Sequence, residues 1–441
     1  MAQDPVRWLY DLQHFGIKLG LENIRTLLEW CGSPQRAFRT VLVGGTNGKG
    51  SVASMLASML EAHGIKSGLF TSPHLVRPNE RIRIGGEDIS TEALHERLNG
   101  MRRMIEEACA DGRMEFHPSF FEVMTATALT AFRDAEVQAG ILEVGLGGRL
   151  DATNAVEADL SVIVSVDFDH MKTLGRSLLL IAAEKAGIIK QGRPVLSGIE
   201  RLDALGVIRG VARRRGAPVL ESRESVQLHE EPGGTFALET SAARYDRLSL
   251  GLDGRHQRQN ARLALLALET LLERMGRGAD PEQVRHGLAS VRWAGRLQWL
   301  EPEGGPEMLF DGAHNVAGVE ALGEYLDGLQ RPRPVMLFGA MRGKKIPEIL
   351  ERLRPRISKL VITRPGVNRS LEPEEIAEVA RRVGIPCECV EEPARAFERA
   401  RGLAAEGSEP GGYLLVAGSL YLVGQVLAML EPEEAPGPVS M

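Results

Sequence analysis

Residues 45–51, with the sequence GTNGKGS, have the residue types and spacing that suit a loop to hold the phosphates of a nucleoside triphosphate. Glycines let backbone N–H groups approach phosphate oxygens, Lys49 can reach the outer phosphates, and Ser51 can contact a metal ion. The common phosphate loop places Ser or Thr directly after Lys, whereas Gly50 intervenes here. A tight strand-to-helix turn would also explain the glycines, but the apolar run before the loop and the helical pattern after it favour phosphate binding.

Polar residues follow three other apolar, strand-like runs. Glu143 ends one run, Ser72 follows a second, and His170 closes the sequence DFDH after a third. Ligands of open parallel sheets bind beyond the carboxyl ends of the strands, so Glu143 is predicted to be a metal ligand. Histidine is an unusual ligand for Mg²⁺, so a role for His170 in capping a helix or in supporting the metal ligands from behind is equally open. The Ser72 hydroxyl could join Glu143 at a metal, although a serine before proline is more often a turn residue.

Two further segments could carry chemistry. Lys185 lies near the end of a predicted helix in the sequence AEKAGIIK, where most lysines are solvated. Asp311 and His314, in the sequence DGAHN, could bind a nucleotide or substrate. The alternative is that this segment forms only an Asp/Asn turn that caps the next helix.

The elements that would position these residues alternate between strands and helices. Strands are predicted at 40–43, 67–71, 140–145, 160–166 and 194–198, and helices at 52–63, 91–110, 120–135 and 177–190. This alternation predicts a doubly wound, mostly parallel sheet with helices on both faces. Short polar strands over 217–250 predict a small antiparallel sheet, which a long helix at 260–275 follows.

The alternation of strands and helices restarts near residue 297. Strands are predicted at 308–310, 335–338, 359–362, 387–390 and 413–416. The sequence therefore predicts an α/β protein with a phosphate-loop domain over 1–295 and a smaller Rossmann-like domain over 296–441. The tail 431–441, rich in proline and acidic residues, is predicted to be frayed.

The net charge, the cysteine spacing and the apolar segments limit the classes of function that are compatible with this chain. The chain has 441 residues and a net charge of −6, which argues against binding to nucleic acid. The four cysteines lack the spacing of a zinc site or a secreted disulfide framework. The first 16 residues lack a basic start followed by an apolar core, so a secretory signal is not expected. Residues 412–430 are long enough to span a membrane, but Gly418, Ser419 and Gln425 favour a strand, a turn and a packed helix. A cytoplasmic protein without membrane contact is expected, and we expect a monomer.

With these motifs in order, the chain resembles the folylpolyglutamate synthase and dihydrofolate synthase family, within the Mur-type ATP-dependent ligases. The resemblance extends over most of the chain, and it rests on the sequences GTNGKGS, TSPHL, LEVGLGGRLDATN, EKAGIIK, DGAHN and GSLYLVG. It implies that Gly50 belongs to the family's own form of the phosphate loop.

The resemblance also implies roles for individual residues. ATP would be bound by Thr46, Asn47, Gly48, Lys49, Gly50, Ser51, Asn260, Arg296 and Asp311, and Mg²⁺ by Ser72, Glu143 and His170. The catalytic residues would be Lys49, Lys185 and His314, with Lys185 carrying a carbamate derived from CO₂. The pterin would lie near Leu19, Gly20, Ser119, Phe120, Phe121, Asp151 and Ala152. A monovalent cation such as K⁺ is a further candidate cofactor.

The expected activity is ATP-dependent ligation of L-glutamate to dihydropteroate, to the glutamate tail of reduced folates, or to both, through an acyl phosphate. Two alternatives stay open at this point. One is another Mur-type amide ligase, although only 44 residues precede Gly45, and Mur ligases of the cell wall have an additional domain there. The other is a phosphate-loop ATPase without ligase activity.

Overall fold

The computed structural model describes residues 4–12, 20–113, 117–406 and 411–430. Leu19 and the tail 431–441 therefore lie outside the described residues. The chain divides into two compact units. The first comprises the residues up to 74, 78–251 and 258–291, and the second comprises 75–77, 252–257 and the residues from 292 onward.

An eight-stranded sheet forms the centre of the first unit. Its strands are β1 (Arg39–Gly44), β2 (Ser67–Phe70), β3 (Ile82–Ile84), β4 (Glu87–Asp88), β5 (Ala139–Glu143), β6 (Leu160–Ile163), β7 (Val195–Ser197) and β8 (Val219–Glu221). Their order is β4-β3-β2-β5-β1-β6-β7-β8; the β4–β3 and β3–β2 pairs are antiparallel, and the other five pairs are parallel. The predicted doubly wound, mostly parallel sheet is confirmed. Because β1 lies between β5 and β6, the loops after these three strands meet at one edge.

Helices of the first unit cover this sheet, and the longest of them begin at side-chain caps or glycine turns. They are α1 (Pro5–Asp11), α2 (Glu22–Trp30), α3 (Lys49–Ala62), α4 (Thr91–Ala110), α5 (Phe120–Asp134), α6 (Met171–Leu174), α7 (Leu178–Ala186), α8 (Leu202–Arg214), α9 (Ser222–Ser225), α10 (Arg255–Arg274) and α11 (Pro281–Ser290), and the first three residues of α10 are assigned to the second unit. Ser119 and Glu122 form a capping box that fixes the start of α5. Helix α3 buries most of its length, which anchors the end of the phosphate loop.

A small antiparallel sheet also belongs to the first unit, as predicted. It consists of β9 (Gln227–Glu230), β10 (Phe236–Glu239) and β11 (Arg244–Leu248). The prediction began this sheet too early, because residues 219–221 form β8 and pair in parallel with β7 in the large sheet. Their sequence, Val-Leu-Glu, was too short to show which sheet they would join.

The second unit is built on a six-stranded sheet with helices packed on it. Its strands are β12 (Gln298–Leu300), β13 (Glu307–Phe310), β14 (Val335–Phe338), β15 (Lys359–Ile362), β16 (Cys387–Cys389) and β17 (Tyr413–Ala417), and its helices are α12 (Val316–Gly328), α13 (Ile346–Leu353), α14 (Pro373–Arg382), α15 (Pro393–Ala405) and α16 (Leu420–Leu430). The order is β12-β13-β17-β14-β15-β16, with β12 antiparallel. The predicted second α/β domain is confirmed, and β12 is an additional strand. Among the described residues, no helix has the length and apolar character needed to cross a membrane.

Two short segments that are distant in sequence complete the second unit. The Tyr325 hydroxyl donates to Asp253 Oδ2 at 3.0 Å and accepts from Trp299 Nε1 at 2.8 Å, which ties residues 252–257 to α12. Gly424 in α16 packs directly on the backbone of Leu75, where any side chain on Gly424 would collide. The second unit therefore draws its residues from three parts of the chain.

Candidate active site

The phosphate loop lies between β1 and α3. Gly48 takes the left-handed conformation, with φ 80°, directly before the first residue of the helix, Lys49. The first amides of α3 have no acceptor within the helix, so they provide donors for an anion. Gly48 also lies against Asn260, because a Cβ added to Gly48 would be 2.8 Å from Asn260 Oδ1. The structure thus brings Asn260, which follows more than 200 residues later, to the loop.

The loop is held in shape by the segment after β6. Ser165 accepts from the Asn47 amide through its hydroxyl oxygen at 2.9 Å and donates back to the Asn47 carbonyl at 2.9 Å. The Thr46 hydroxyl accepts from the Asp167 amide at 3.0 Å. Thr46 and Asn47 are therefore engaged in fixing the loop through these groups. A loop held by its neighbour in this way is preorganised for a ligand.

Glu143, Ser72 and Lys49 lie close to one another beyond the carboxyl ends of β5 and β2. Glu143 is buried, its Oε2 accepts from the Ser72 amide at 3.1 Å, and its Oε1 lies 3.9 Å from Lys49 Nζ. The carboxylate thus connects the lysine of the phosphate loop with the loop that carries Ser72. Oxygen ligands of this kind suit a hard divalent cation.

His170 follows β6 on the same side of the sheet but is more open. Its side chain is 47% exposed, its backbone is left-handed with φ 48°, and its Nε2 lies 3.9 Å from Asp169 Oδ1. His170 stands at the N-cap position of α6 without a side-chain capping bond, and its role, as a metal ligand or as a residue that supports the ligands, stays a prediction.

Lys185 is buried against the first residue of the phosphate loop. The residue is 3% exposed, and its Nζ donates to the carbonyl of Gly45 at 2.8 Å. Burial lowers the pKa of Lys185 to about 7, the nearby Lys49 cation lowers it further, and Asp169 and Asp151 act weakly in the opposite direction. The expectation that a helical lysine is solvated is wrong here, because α7 ends facing the loop.

Asp151 organises the glycine-rich loop that follows Glu143. Its carboxylate accepts from the amides of Leu146 and Thr153 at 2.9 and 3.0 Å and from the Thr153 hydroxyl. Burial raises the pKa of Asp151 despite these bonds. Ala152, beside it, is buried at the start of a short 3₁₀ turn. These hydrogen bonds fix the conformation of the loop that follows β5.

The predicted folate residues at the start of α5 form a tight aromatic group. Phe120 is buried, stacks on Tyr10 at 5.6 Å, and lies under the Arg81 guanidinium at 4.8 Å. Phe121 packs on Phe70 at 5.7 Å and against Gly145, where a Cβ would be 2.7 Å from its ring. Gly20 precedes α2.

The second unit has its own cluster of polar residues after β13. Asp311 accepts from the amides of Leu297 and Ala313 at 3.0 and 2.9 Å, and the His314 imidazole hydrogen-bonds to the Gly312 carbonyl at 2.7 Å. Burial raises the pKa of Asp311, whereas the Arg296 guanidinium beside it acts in the opposite direction.

Sequence reasoning missed several polar residues around both clusters. His256 is close to Asp311 and Arg296, and burial lowers its pKa. Tyr10 and Arg81 lie against the Phe120 ring, and His74 hydrogen-bonds to both of them, although none of the three was assigned a role from the sequence. The proximity of Tyr10 and Phe120 could not be read from residues 110 positions apart, because no periodic pattern connects them.

Known proteins share this fold and these motifs. A family model described as the Mur ligase, glutamate ligase domain matches residues 295–420. The dihydrofolate synthase/folylpolyglutamate synthase of Bacillus subtilis (strain 168) is 38% identical over 357 residues, which cover 80% of this chain and 82% of that protein. Mycobacterium tuberculosis folylpolyglutamate synthase complexed with ADP and AMPPCP has a TM-score of 0.88 and 30% identity, covering 99% of this chain and 100% of that chain. Escherichia coli FolC in complex with DHPP and ADP has a TM-score of 0.86 and 28% identity, covering 98% and 99%.

These matches and the fold define an ATP-dependent ligase that joins an acid to an amino acid. The match to the Bacillus subtilis enzyme identifies the family within this class of ligases. The chain belongs to the dihydrofolate synthase/folylpolyglutamate synthase family, and its reaction is the ATP-dependent ligation of glutamate to folates.

Proposed function

We propose that this enzyme catalyses both family reactions, the addition of the first L-glutamate to dihydropteroate and the extension of reduced folates, through an acyl phosphate. The observation that carries the proposal is the gathering of Lys49, Glu143 and the buried Lys185 around one preorganised phosphate loop. Each has a distinct task in activating a carboxylate with ATP.

Activation is needed because a carboxylate is a poor acyl donor, whose leaving group would be oxide. Transfer of the γ-phosphoryl group to the substrate carboxylate gives an acyl phosphate and ADP. The amine of L-glutamate then attacks the acyl carbon, and inorganic phosphate leaves. Lys49 and the first amides of α3 stabilise the negative charge on the transferring group, since positioning and electrostatics dominate phosphoryl transfer.

The residues present fit a divalent cation, which we take to be Mg²⁺. Glu143 supplies a buried carboxylate, and Ser72 lies beside it with its amide bonded to that carboxylate. Together with His170 they would hold the metal ion, which would supply charge neutralisation at the phosphate oxygens. Glu143 thus acts both on Lys49, at 3.9 Å, and on the metal position.

Lys185 is proposed to carry a carbamate. Burial lowers its pKa to about 7, so near neutral pH a large share of the amine is uncharged and nucleophilic. The neutral Nζ atom attacks the carbon of CO₂; the N–C bond forms as one C=O π bond breaks, its electron pair moves to oxygen to give the carbamate anion, and one proton leaves nitrogen for solvent. The product is an anion next to the Lys49 cation, which replaces the repulsion between the two lysines with an attraction.

The folate is proposed to bind at the start of α5, near Ser119, Phe120, Phe121, Asp151 and Ala152. Flat heteroaromatic rings bind well among aromatic side chains. In the second unit, Arg296, Asp311 and His314 are the proposed nucleotide-contacting residues, with Asn260 at the phosphate loop of the first unit.

The test is to incubate the enzyme with ATP, MgCl₂, L-glutamate and either dihydropteroate or a reduced folate monoglutamate, and to identify products by mass spectrometry. One added glutamate is expected with dihydropteroate, and one or more with the reduced folate. Product from only one acceptor would refute the bifunctional assignment. ADP release that does not depend on glutamate, without ligated product, would favour a plain ATPase.

A carbamate on Lys185 needs a separate test. Isotopically labelled bicarbonate should give a carbamate carbon signal in the NMR spectrum of the enzyme. The signal should disappear in Lys185→Met and persist in Lys190→Met, a matched change at another buried lysine. A signal that survives Lys185→Met would reject Lys185 as the modified residue.

A further inference from the structure

One buried amide side chain joins the glycine-rich loop that follows Glu143 (residues 144–151) to the end of α7. Asn154, the last residue of the motif LEVGLGGRLDATN, is 7% exposed. Its Nδ2 donates to the Arg149 carbonyl of this loop at 2.9 Å and to the Gly187 carbonyl at 3.2 Å. Gly187 directly follows the last residue of α7 and is 33 positions from Asn154. Asn154 therefore connects two segments that are distant in sequence.

The two segments are in direct backbone contact at this point. A Cβ added to Gly148 would be 2.8 Å from the Glu184 carbonyl oxygen and 3.1 Å from that of Lys185. A Cβ added to Gly187 would be 2.4 Å from Arg149 Cα. The Arg149 amide also donates to the Glu184 carbonyl at 2.9 Å. Glycine at both positions thus lets the loop lie directly on the last turn of α7, which carries Lys185.

The glycine-rich loop offers a fixed surface for this turn of α7. Its conformation is set by Asp151, whose carboxylate accepts from the Leu146 and Thr153 amides. The backbone N–H of Asn154 donates to the Asp151 carbonyl at 2.8 Å, and Lys190 Nζ donates to the Asn154 carbonyl at 2.9 Å. The backbone of Asn154 is therefore held independently of its side chain, whose two donors serve to hold α7 on the loop.

Arg215, at the end of α8, holds the same end of α7 from another direction. Its Nη1 donates to the carbonyls of Gly187, at 3.1 Å, and Ile189. The Gly187 carbonyl thus keeps a donor when Asn154 is replaced, but this donor belongs to α8 and not to the loop. The ion pair of Arg149 with Glu184 also links loop and helix, but it is open to solvent and contributes little. What Asn154 sets is the position of the last turn of α7 relative to the loop.

A buried asparagine is a costly way to join two segments. Its Oδ1 atom is buried and makes no hydrogen bond among the described residues. An unpaired buried polar atom costs free energy, and an apolar side chain would pack there without that cost. The asparagine provides two donors at fixed positions, which favours a role in geometry over a role in stability alone.

The last turn of α7 carries a residue whose placement matters for the reaction. Lys185 lies two residues before Gly187, and its Nζ reaches the Gly45 carbonyl of the phosphate loop at 2.8 Å. A shift of this turn would move the Nζ atom away from the phosphate loop. A displacement of about 1 Å at a reacting group can cost about 10²-fold in rate.

We propose that Asn154 is a positioning residue, which fixes Lys185 at the phosphate loop by holding the last turn of α7 on the glycine-rich loop. The inference rests on the proposed function, because it concerns the role of Lys185 in that reaction. It gives the final residue of the motif a task that the sequence alone did not assign.

The experiment compares two substitutions of Asn154 in the full-length enzyme. Asn154→Ala removes the amide, and Asn154→Asp keeps the shape of the side chain but replaces the donor nitrogen with oxygen. In both, kcat for ligation should fall by about 10- to 100-fold, the range for a group that orients a catalytic one. The KM for ATP should stay within about threefold, because Ser165 still holds the phosphate loop. The carbamate signal should weaken as well, because the anion would lie farther from the Lys49 cation.

A double-mutant cycle shows whether Asn154 acts through Lys185. In the Lys185→Met background, Asn154→Ala should lower kcat further by less than about twofold, because the group that it positions is absent. Losses that multiply would show that Asn154 acts independently of Lys185, and they would overturn the inference. Gly148→Ala disturbs the same contact from the loop side, so it should lower kcat while changing the KM for ATP little.

Two control variants separate positioning from stability. Tyr245→Phe removes a buried hydrogen bond in the small sheet, from the Tyr245 hydroxyl to Glu269 Oε1 at 2.7 Å. Lys190→Met removes the bond to the Asn154 carbonyl but leaves the Asn154 amide in place. Both should keep kcat within about twofold, whatever their midpoints of urea unfolding.

The outcomes separate this inference from the proposed function. Absence of ligation by the unmodified protein would overturn the proposed function and this inference with it. Ligation by the unmodified protein, combined with wild-type kcat in Asn154→Ala and Asn154→Asp, would overturn this inference alone. Should both variants fail to fold, Gly148→Ala with a wild-type kcat would overturn it equally.

Discussion

Two lysines five residues apart, Lys185 and Lys190, are both buried but lie in different surroundings. Burial lowers the pKa of Lys185 to about 7 and that of Lys190 to about 8. The Lys185 Nζ donates to the Gly45 carbonyl of the phosphate loop, whereas the Lys190 Nζ donates to the Asn154 carbonyl at 2.9 Å. Burial makes both amines easier to deprotonate, so burial by itself cannot single out a reactive lysine.

The charged groups near each amine distinguish Lys185 from Lys190. The main charge acting on Lys185 is the Lys49 cation, whereas the main charge acting on Lys190 is the Glu157 carboxylate. Converting an amine to a carbamate replaces a neutral group with an anion, which a neighbouring cation favours and a neighbouring carboxylate opposes. The comparison assigns the carbamate to Lys185. Lys190 has a structural role, because its amine binds the Asn154 carbonyl and so stabilises the turn there.

The largest effect is expected from removing the two amines in turn. Lys185→Met should lower kcat for ligation by about 10²- to 10³-fold, the magnitude of losing one electrostatic group at a transition state. Lys190→Met should keep kcat within about twofold, because its amine contacts only the turn. Steady-state release of ADP in the presence of glutamate and folate measures both. Equal losses in the two variants would remove the distinction between the lysines.

A smaller effect is expected at Gly187, which lies between the lysines. A Cβ added there would collide with the backbone and Cβ of Arg149, so Gly187→Ala should lower the free energy of unfolding by about 1 to 3 kcal/mol. Gly206, inside α8, has open space around its Cα, and Gly206→Ala should instead stabilise by about 0.5 to 1 kcal/mol. Urea unfolding of both variants checks this, and a neutral Gly187→Ala would contradict the tight contact.

The effect of lowering the pH by one unit should be smaller than that of Lys185→Met. A protonated amine does not attack CO₂, so below the Lys185 pKa of about 7 the carbamate should decline as the proton is bound. The carbamate signal and kcat should fall by up to about tenfold for each pH unit below that value. Raising the CO₂ concentration should restore part of both. A carbamate signal that does not change between pH 7 and pH 5 would refute a titrating Lys185.

Much of the fold could be predicted because its signals are local. The apolar run before GTNGKGS became β1, the predicted helices at 91–110 and 120–135 became α4 and α5, and the second series of strands was confirmed. β12 and β8 could not be assigned in the same way. Each of these strands has only three residues, too few to show a periodic pattern. They are recognised as strands only because β12 pairs with Glu307–Phe310 and β8 pairs with Val195–Ser197.

The residues of the site also fall into those with a local sequence signal and those brought together only by tertiary packing. Lys49 and Glu143 could be proposed from their positions after strands, since parallel strands end at a common edge. Lys185 could not, because nothing in the residues of α7 shows that Gly45 lies against its last turn. Tyr10 was missed for a related reason, since its partners His74 and Phe120 are brought to it only by tertiary packing.

The second unit is assembled from three separate segments of the chain, which limits how its coding sequence could be separated from the rest of the gene. Residues 75–77 and 252–257 belong to that unit, where Leu75 lies against Gly424 and Asp253 accepts from Tyr325. A fragment that encoded only residues 296–441 would leave both partners behind. Transplanting this unit into another protein would therefore require three pieces of coding sequence, and a single junction near residue 295 would produce a fragment with gaps in its packing.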